Sequence, residues 1–299
     1  MLDFKRVSLE DKPLIEHYFR CTPKAQLNYS FEVLYLWRDA CEFEICEYNG
    51  FLLIKTFIRC NHNFLYPLGK GDLKDAVMKM KQYSESHYCE FNLFQITEEE
   101  REELAQLLPG MFVFTPVPEE FEYVYLREKL ATLTGKKLQP KRNHINALTN
   151  SCVWSYEEID TGNIEECKAL NERWMVNHQE CDPVQLHMEN EAIIHALDDF
   201  FTLNLHGGAI RIDGKIEAFS IGCPLTSDMY LVLFEKANPE IRGAYPLMNR
   251  EFVKHEIPEQ YLYVNRAEDA GDEGLRQAKL SYHPDKLDIL YMAAAQKEK

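Results

Sequence analysis

The stretch Gly208-Ala-Ile-Arg-Ile-Asp-Gly-Lys-Ile-Glu-Ala-Phe-Ser-Ile-Gly-Cys223 gives the clearest indication of fold in this sequence. Apolar side chains alternate or run together on both sides of Asp213-Gly214, as they do in strands. The Asp-Gly dipeptide tolerates the positive φ angles of a type I′ turn, so the stretch predicts a β-hairpin. Asn49-Gly50 predicts a second hairpin in the same way, between strands at Phe43–Tyr48 and Phe51–Arg59.

The predicted elements around the two hairpins follow the same order. Each copy reads as a strand, two helices, three strands, a helix, a strand, a helix and a final strand. Two such copies predict the α/β (α+β) class, with two tandem domains in which a mixed, mostly antiparallel sheet is flanked by helices. The alternative is that an ordinary α/β chain produces this string by coincidence. The predicted boundaries are 1–118, a bridging segment with a basic helix at 119–150, and 151–299.

The composition is that of a globular protein. The 299 residues are 45% hydrophobic and 27% charged, and no run reaches the about 18 apolar residues that a membrane-spanning helix needs. The N-terminal residues show no signal-peptide pattern, so we expect a cytoplasmic protein. The net charge of −16, from 33 basic and 49 acidic residues, excludes the basic balance of duplex-DNA-binding proteins. Nothing in the sequence indicates the oligomeric state.

Motifs for metal binding and for two large enzyme classes are missing. The nine cysteines are scattered without a Cys-x-x-Cys pair, which predicts reduced thiols and no structural zinc. His187, Glu191 and His195 are spaced as helical metal ligands can be, but no fourth ligand is evident and one amphipathic face explains them. Neither Gly-x-Ser-x-Gly nor Gly-x-x-x-x-Gly-Lys-Ser/Thr occurs, which excludes serine hydrolases and P-loop nucleotide triphosphatases. We expect no metal and no tightly bound cofactor.

A basic segment interrupts the acidic sequence. Six residues from Arg127 to Arg142 are Lys or Arg, and only Glu128 is acidic. Basic side chains bind phosphate without reading a base sequence, so Lys141 and Arg142 are candidate ligands for donor phosphates. The alternative is that the segment only docks onto the second domain. His144 in the same segment has the intrinsic pKa of a general base, but a single histidine is more often structural.

The order of elements resembles that of the GCN5-related N-acetyltransferase (GNAT) superfamily, here in tandem. Three motifs are similar to those of the DUF2156 family, which is related to the C-terminal domain of phosphatidylglycerol lysyltransferase; they are Gly135-Lys-Lys-Leu-Gln-Pro-Lys-Arg-Asn-His-Ile-Asn146, Asn265-Arg-Ala-Glu-Asp-Ala-Gly271 and Gly274-Leu-Arg-Gln-Ala-Lys-Leu-Ser-Tyr-His-Pro284. The resemblance covers nearly the whole chain. It implies an acyl- or aminoacyl-transferase, like the lysyltransferases and Fem transferases, with aminoacyl-tRNA or acyl-CoA as co-substrate. This sequence departs from the lysyltransferase in lacking a membrane-embedded half, which argues against a lipid acceptor but is compatible with transient membrane contact; the acceptor itself is not indicated.

The resemblance also implies roles for the C-terminal motifs. A similar lysine, three residues before an aromatic one, lies near the donor in those families, so Lys279 is implied to stabilise negative charge on the tRNA ester; the alternative is a solvated surface lysine. Arg276, three residues earlier on a helix, can point at the same ligand. Arg266 follows the carboxyl end of a strand and can bind a carboxylate or phosphate. Glu268 and Asp269 are candidate ligands of the aminoacyl amino group, or else ion-pair partners of Arg266.

Acyl transfer also needs an anchor for the donor and groups that face the reacting carbonyl. Arg242 and Gly243 precede a predicted helix N-terminus, where free N–H groups favour an anion. Tyr245 and Asn249 lie one turn apart on that helix. They can face the carbonyl as catalytic groups or pack beneath it.

Two competing functions stay open. The first is an acetyl-CoA-dependent N-acetyltransferase, whose phosphate-binding pattern is Gln/Arg-x-x-Gly-x-Gly/Ala. Here Gly69-Lys70-Gly71 follows Tyr66 instead of Gln or Arg, Asp72 at the helix start would repel phosphate, and Arg242 is out of place in the second copy. The second is a non-catalytic ligand-binding protein that kept the fold and lost the chemistry.

Overall fold

The computed structural model of the protein describes residues 2–22, 26–58, 61–177 and 182–296. These residues fold into two units, each with its own sheet. The first unit contains residues 1–122, 268–276 and 287–299, and the second contains residues 123–267 and 277–286. Arg59, the last residue of the predicted strand Phe51–Arg59, lies outside the described residues.

The first unit consists of a sheet with helices packed against it. Its strands, numbered in chain order, are β1 (Lys5–Arg6), β2 (Glu44–Tyr48), β3 (Phe51–Ile58), β4 (Asn61–Phe64), β5 (Leu68–Gly69), β6 (Phe91–Ile96), β7 (Phe112–Pro116) and β15 (Tyr291–Ala295). Its helices are α1 (Lys12–Cys21), α2 (Phe31–Leu36), α3 (Leu73–Ser86) and α4 (Glu98–Leu107). The strand order is β1-β2-β3-β4-β6-β15-β7, with β5 paired to β3. The pair β4–β6 is parallel and the β2–β3 pair is antiparallel.

The hairpin predicted in the first unit is present. Strands β2 and β3 are paired, with Glu44 opposite Lys55 at one end and Tyr48 opposite Phe51 at the turn. The turn residues Asn49 and Gly50 both have positive φ, 47° and 86°. The side chains of α3 that recur on one face, Ala76, Val77 and Met80, are fully buried in the core of this unit. The turn chemistry and the apolar periodicity therefore lead to the predicted elements.

The second unit repeats this architecture. Its strands are β8 (Glu122–Leu126), β9 (Trp154–Glu158), β10 (His206–Ile212), β11 (Lys215–Pro224), β12 (Met229–Ala237), β13 (Tyr263–Asn265) and β14 (Lys286–Asp288), which begins in this unit. Its helices are α5 (Arg127–Thr132), α6 (Gln139–Thr149), α7 (Ile164–Asn177), α8 (Pro183–Asp198), α9 (Ala244–His255) and the last four residues of α10 (Glu273–Leu280). The strand order is β14-β8-β13-β12-β11-β10-β9, and β12 and β13 are parallel.

The core of the second unit forms around α9. Leu247, Met248, Phe252 and Val253 of this helix are fully buried and belong to one cluster with Tyr230 of β12. The predicted turn lies at the end of the β10–β11 hairpin, where Asp213 and Gly214 have φ values of 46° and 89°. The predicted pair of mixed, mostly antiparallel sheets flanked by helices is confirmed.

Each sheet contains one strand that the sequence assigns elsewhere. The predicted single strand Leu287–Met292 is two strands, β14 and β15, and β15 lies between β6 and β7 of the first unit. Strand β8, within the predicted bridging segment 119–150, lies between β13 and β14. The observed division therefore differs from the predicted boundaries 1–118, 119–150 and 151–299. The cause is that strand pairing across a long sequence separation leaves no local signal.

Ala293 tests the position of β15. Its side chain is fully buried, and it pairs with Leu93 of β6 and Phe114 of β7. We expect Ala293→Glu to lower the free energy of unfolding by about 2–5 kcal/mol, because it buries an unpaired charge in the first sheet. Val113→Glu on the neighbouring β7 is the control, since Val113 is 52% exposed. Equal urea midpoints for the two variants would contradict the placement of β15.

Candidate functional site

The parallel strands β12 and β13 separate at the place where polar side chains meet. Met229 pairs with Tyr263 at one end of the ladder, and Leu231 pairs with Asn265 at the other. Strand β13 ends there, whereas β12 continues to Ala237. Glu235 of β12 and Arg266, directly after β13, face each other beyond the last pair. Arg266 Nη2 lies 3.0 Å from Glu235 Oε1, and each side chain is only 11% exposed. Although burial opposes a charged guanidinium, the Glu235 carboxylate raises the pKa of Arg266.

Asn249 of α9 completes this arrangement. It is fully buried, and its Nδ2 donates to the second carboxylate oxygen of Glu235, Oε2, at 3.0 Å. Two buried polar atoms then have no hydrogen-bond partner among the described residues: the acceptor Asn249 Oδ1 and the donor Arg266 Nη1. Buried polar groups are nearly always paired. An unpaired acceptor and an unpaired donor, on the two side chains that bind the Glu235 carboxylate, therefore indicate a candidate ligand site.

Two further side chains lie against Arg266. The buried ring of Tyr282 has its centroid 4.8 Å from the Arg266 guanidinium carbon and 4.2 Å from Lys141 Nζ. Burial and then the Arg266 charge lower the pKa of Lys141 to about 8. We refer to Glu235, Asn249, Arg266, Tyr282 and Lys141 as the Glu235 cluster. The structure therefore brings the predicted residues Lys141, Arg266 and Asn249 together.

Lys279, the predicted catalytic lysine, lies next to the Glu235 cluster through the backbone. Its Nζ donates to the backbone oxygen of Arg266 at 2.6 Å and lies 5.6 Å from the ring centroid of Tyr123. Its side chain is buried, and Tyr125 donates its hydroxyl to the Lys279 carbonyl at 2.8 Å. This lysine holds the segment from which Arg266 projects, which differs from the solvated surface lysine of the alternative interpretation.

Tyr245, at the start of α9, belongs to a neighbouring set of contacts. Its hydroxyl accepts a hydrogen bond from Trp174 Nε1 at 2.8 Å. The ammonium of Lys236 lies 3.3 Å from the centroid of the Trp174 ring and 2.8 Å from Glu189 Oε2. Burial raises the pKa of Tyr245 to about 12, and the Glu235 charge also raises it. Tyr245 is therefore a neutral phenol near the Glu235 cluster.

Arg242 lines a groove of about 700 Å³ beside α6, and Gly243 follows it in the chain. Arg242 Nε donates to His144 Nδ1 at 3.1 Å. Gly243 has a φ of 102°, and a Cβ at this position would lie 2.7 Å from the His144 carbonyl oxygen. The α6 backbone therefore packs closely against Gly243 and leaves no room for a side chain at this position.

The first turn of α9 also offers few donors to an anion. The Ala244 N–H donates to Ile241 O at 3.0 Å. Pro246, the third residue of the helix, has no N–H. A phosphate-binding helix N-terminus depends on such N–H groups. The predicted donor anchor at Arg242 and Gly243 consequently lacks the backbone donors that we expected of it.

The glycine turn of the first unit is closed in a similar way. A Cβ on Gly69 would lie 2.3 Å from Gly50 O, and a Cβ on Gly71 would lie 2.4 Å from Asn49 O. These glycines allow the turn to pack against the β2–β3 hairpin. The carboxylate of Asp72 accepts the Asp75 N–H at 3.0 Å and caps α3. The turn thus has a structural use, and an acidic group occupies the helix N-terminus.

The basic segment is used mainly inside the second unit. Arg127 donates to the carbonyls of Ile257 and Val253, at 2.9 and 3.3 Å, and Lys129 lies 2.9 Å from Asp285 Oδ2. Arg142, predicted to bind phosphate, donates instead to the backbone carbonyls of Leu133 and Gly135. These contacts match the alternative in which the segment docks onto the second domain.

Arg276, Glu268 and Asp269 belong to the first unit. Arg276 binds both carboxylate oxygens of the buried Asp269, each at 2.9 Å. The alternative interpretation paired Arg266 with Glu268 or Asp269, whereas the observed pairs are Arg266–Glu235 and Arg276–Asp269. Glu268 lies near Glu120, where burial and then the Glu268 charge raise the pKa of Glu120 to about 7.

Glu235 and Tyr282 are the residues that sequence reasoning missed. Glu235 and Lys236 are a charged pair inside the otherwise apolar strand Met229–Ala237, which is a signal that we did not use. Tyr282 lies in the motif that runs from Gly274 to Pro284, but the spacing of residues in that motif does not show which side chains surround the tyrosine. No group of three or more metal-ligating side chains converges within the described ranges 2–22, 26–58, 61–177 and 182–296.

Comparisons with known proteins place the chain among acyltransferase-like folds. The sequence matches the family model for the C-terminal region of phosphatidylglycerol lysyltransferase over residues 19–294. No curated protein matches it. A crystal structure of a conserved protein of unknown function from Bacteroides thetaiotaomicron is 36% identical, with a TM-score of 0.92, and the match covers 99% of this chain and 100% of that one.

Two more distant structures share the fold. L-PGS from Bacillus licheniformis has a TM-score of 0.65 at 14% identity, covering 97% of this chain and 93% of that one. A tandem GNAT protein from the clavulanic acid biosynthesis pathway has a TM-score of 0.55 at 9% identity, with both chains fully covered. The predicted fold of two tandem GNAT-like domains is confirmed. None of the helices in the part of the chain that the structure describes is long and apolar enough to cross a membrane.

Glu235 is expected to be essential for the stability of its cluster. Glu235→Gln keeps the size of the side chain but leaves the Arg266 guanidinium buried without an opposite charge. We expect the free energy of unfolding to fall by about 3–5 kcal/mol. The measurement is urea unfolding followed by circular dichroism, with Glu240→Gln as the control, because Glu240 is exposed. Equal stability of the two variants would show that Glu235 does not balance Arg266.

Proposed function

Because the chain belongs to the family of phosphatidylglycerol lysyltransferase C-terminal domains, we propose that it is an aminoacyltransferase whose donor is an aminoacyl ester of tRNA. The observation that carries the proposal is the pair of unsatisfied atoms at Glu235, Asn249 Oδ1 and Arg266 Nη1. The family membership gives the class of reaction. The cluster gives the groups that recognise the donor.

An aminoacyl ester matches the two unsatisfied atoms. Its α-ammonium donates hydrogen bonds and carries a positive charge, so it can bind Asn249 Oδ1 beside the Glu235 carboxylate. Its carbonyl oxygen accepts hydrogen bonds, so it can bind Arg266 Nη1. A simple acyl group such as acetyl has no ammonium and would leave Asn249 Oδ1 unsatisfied.

The same contacts support catalysis of acyl transfer. Negative charge develops on the carbonyl oxygen when a nucleophile adds to the ester carbon, and a fixed guanidinium near that oxygen stabilises the transition state. The Glu235 carboxylate and the Lys279 ammonium, bonded to the Arg266 carbonyl, hold Arg266 in place. In this proposal Arg266 is catalytic and Lys279 positions it, a narrower role for Lys279 than the family resemblance implies.

The closed glycine turns favour tRNA over acyl-CoA as the source of the ester. Acyl-CoA brings a pyrophosphate that needs the N-terminus of a helix. Asp72 caps α3 with a carboxylate, and in the first turn of α9 the Ala244 N–H is already bonded and Pro246 has no N–H. Charged tRNA is available in the cytoplasm, the location that we propose. The acceptor stays open, and a lipid acceptor would require only transient contact with a membrane.

Ligand binding separates the three functions. We expect 3′-aminoacylamido-3′-deoxyadenosine, a stable analogue of the tRNA terminus, to stabilise the protein by about 2.7 kcal/mol at 100 times its Kd. Thermal unfolding at increasing analogue concentration measures this effect, with acetyl-CoA in parallel. Stabilisation by acetyl-CoA alone would favour the N-acetyltransferase. Stabilisation by neither compound would favour the non-catalytic protein.

Arg266→Lys tests the catalytic part of the proposal. The substitution keeps the charge beside Glu235 but loses the planar donor fork, so we expect transfer to slow by about 10²–10³-fold with little change in unfolding temperature. The assay follows loss of labelled amino acid from total charged tRNA and its appearance in lipid and peptide fractions. The control is Arg173→Lys, at an exposed position on α7. Equal rates for the two variants would remove Arg266 from the mechanism.

A further inference from the structure

Lys141 is a half-buried lysine in the Glu235 cluster that has no opposite charge of its own. Within the described part of the chain, its ammonium makes no ion pair and lies 4.2 Å from the centroid of the Tyr282 ring. The one carboxylate that acts on it, Glu235, already binds Arg266 and Asn249 through both oxygens. A lysine kept from water in this way is unusual, because buried charges are normally paired.

Burial, and then the Arg266 charge, make the neutral amine of Lys141 easier to form than that of an ordinary lysine. Arg266 contributes one positive charge and Glu235 one negative charge. Burial raises the pKa of Tyr282 above its usual value, so the phenol stays neutral. With a neutral Lys141 the cluster has no net charge, whereas a protonated Lys141 leaves an uncompensated positive charge in a buried place.

The other elements near Lys141 do not supply a carboxylate. On its own helix, His144 accepts from Arg242 and Arg142 is bonded to backbone carbonyls. Lys137, one turn before it in sequence, is exposed and also basic. The ammonium of Lys279 is bonded to the Arg266 carbonyl. Glu235 is therefore the single carboxylate that favours protonation of Lys141, while burial and the Arg266 charge oppose it.

We propose that Lys141 is the general base of the aminoacyl transfer, a role that rests on the proposed function of the Glu235 cluster. Lys141 and Arg266 both contact the Tyr282 ring, so the Lys141 amine belongs to the same cluster as the guanidinium that would hold the ester carbonyl. A base in this position can take the proton of a nucleophile as that nucleophile attacks the carbonyl carbon.

The proton balance of the step is complete. The acceptor's O–H or N–H group adds to the acyl carbon, and its proton moves to Lys141 Nζ. The tetrahedral intermediate then breaks its bond to the 3′ oxygen of the terminal ribose. Lys141 returns the proton to that oxygen, so the tRNA leaves with a free hydroxyl and the lysine is neutral again. No oxidant, reductant or metal is needed.

The pH dependence follows from the protonation state. A base must be neutral to act, so the rate should rise with pH as Lys141 loses its proton. With a pKa of about 8, about a tenth of the molecules have a neutral Lys141 at pH 7, against fewer than one in a thousand for an ordinary lysine. We expect kcat to rise with pH and to level off above about pH 8.

Lys141→Arg separates a base from a charge anchor. Arginine keeps the positive charge but does not lose a proton at these pH values, so we expect kcat to fall at least about 100-fold. The Kd of 3′-aminoacylamido-3′-deoxyadenosine should stay within about threefold of its wild-type value. Lys137→Arg is the matched control and should leave both quantities unchanged. If Lys141→Arg keeps full activity, Lys141 is a phosphate anchor and not the base.

Chemical rescue distinguishes catalysis from a structural role. We expect Lys141→Ala to be as slow as Lys141→Arg, and added methylamine to restore part of its rate in proportion to the neutral amine present. A rescued rate that does not change with pH would count against the proposal. So would the absence of rescue in a Lys141→Ala variant that still binds the analogue.

A direct titration makes the proposal independent of the transfer assay. The lysines are reductively methylated with ¹³C, and the Lys141 signal is assigned from the Lys141→Arg spectrum. A titration midpoint near 8 is expected, and a midpoint near the ordinary lysine value of about 10.4 would overturn the base proposal whatever the activity. If the midpoint is near 8 but charged tRNA is not consumed, the proposed function fails rather than the assignment of a neutral amine.

Discussion

The ion pair between Glu235 and Arg266 is the interaction on which the candidate site depends. It forms because β12 and β13 stop pairing after Leu231 and Asn265, which opens a gap in the sheet. A charged pair in such a place loses its hydration, so it persists only when the remaining polar atoms find partners. Asn249 supplies one partner, and the two atoms left over define what a ligand must provide.

In our proposal the surroundings of this pair favour one kind of donor. Asp72 caps the N-terminus of α3 with a carboxylate, and the first turn of α9 has an already bonded Ala244 N–H and a proline, Pro246, without one. The first unit also neutralises its own buried acid, Asp269, with Arg276. The groups on which our proposal depends, one acceptor, one donor and one amine, all lie in the second unit. This arrangement suits a donor with both an ammonium and an ester carbonyl.

Local sequence predicts the elements of this fold well and their partners poorly. Asn49-Gly50 and Asp213-Gly214 indicate both hairpins, because few dipeptides adopt those φ angles. Strands β8 and β15 pair with strands that are far away in the sequence, so no local pattern reveals to which sheet each strand belongs. Lys141 and Arg142 are adjacent and equally basic, yet one contacts Tyr282 and the other holds backbone carbonyls. Glu235 binds residues 14 and 31 positions away, which sequence spacing alone does not show.

The most direct test of the central claim is a crystal structure of the protein with 3′-aminoacylamido-3′-deoxyadenosine. We predict that the α-amino group lies within hydrogen-bond distance of Asn249 Oδ1 and that the carbonyl oxygen lies at Arg266 Nη1. An analogue bound in the groove at Arg242 and His144, with Asn249 and Arg266 contacting only water, would contradict the account.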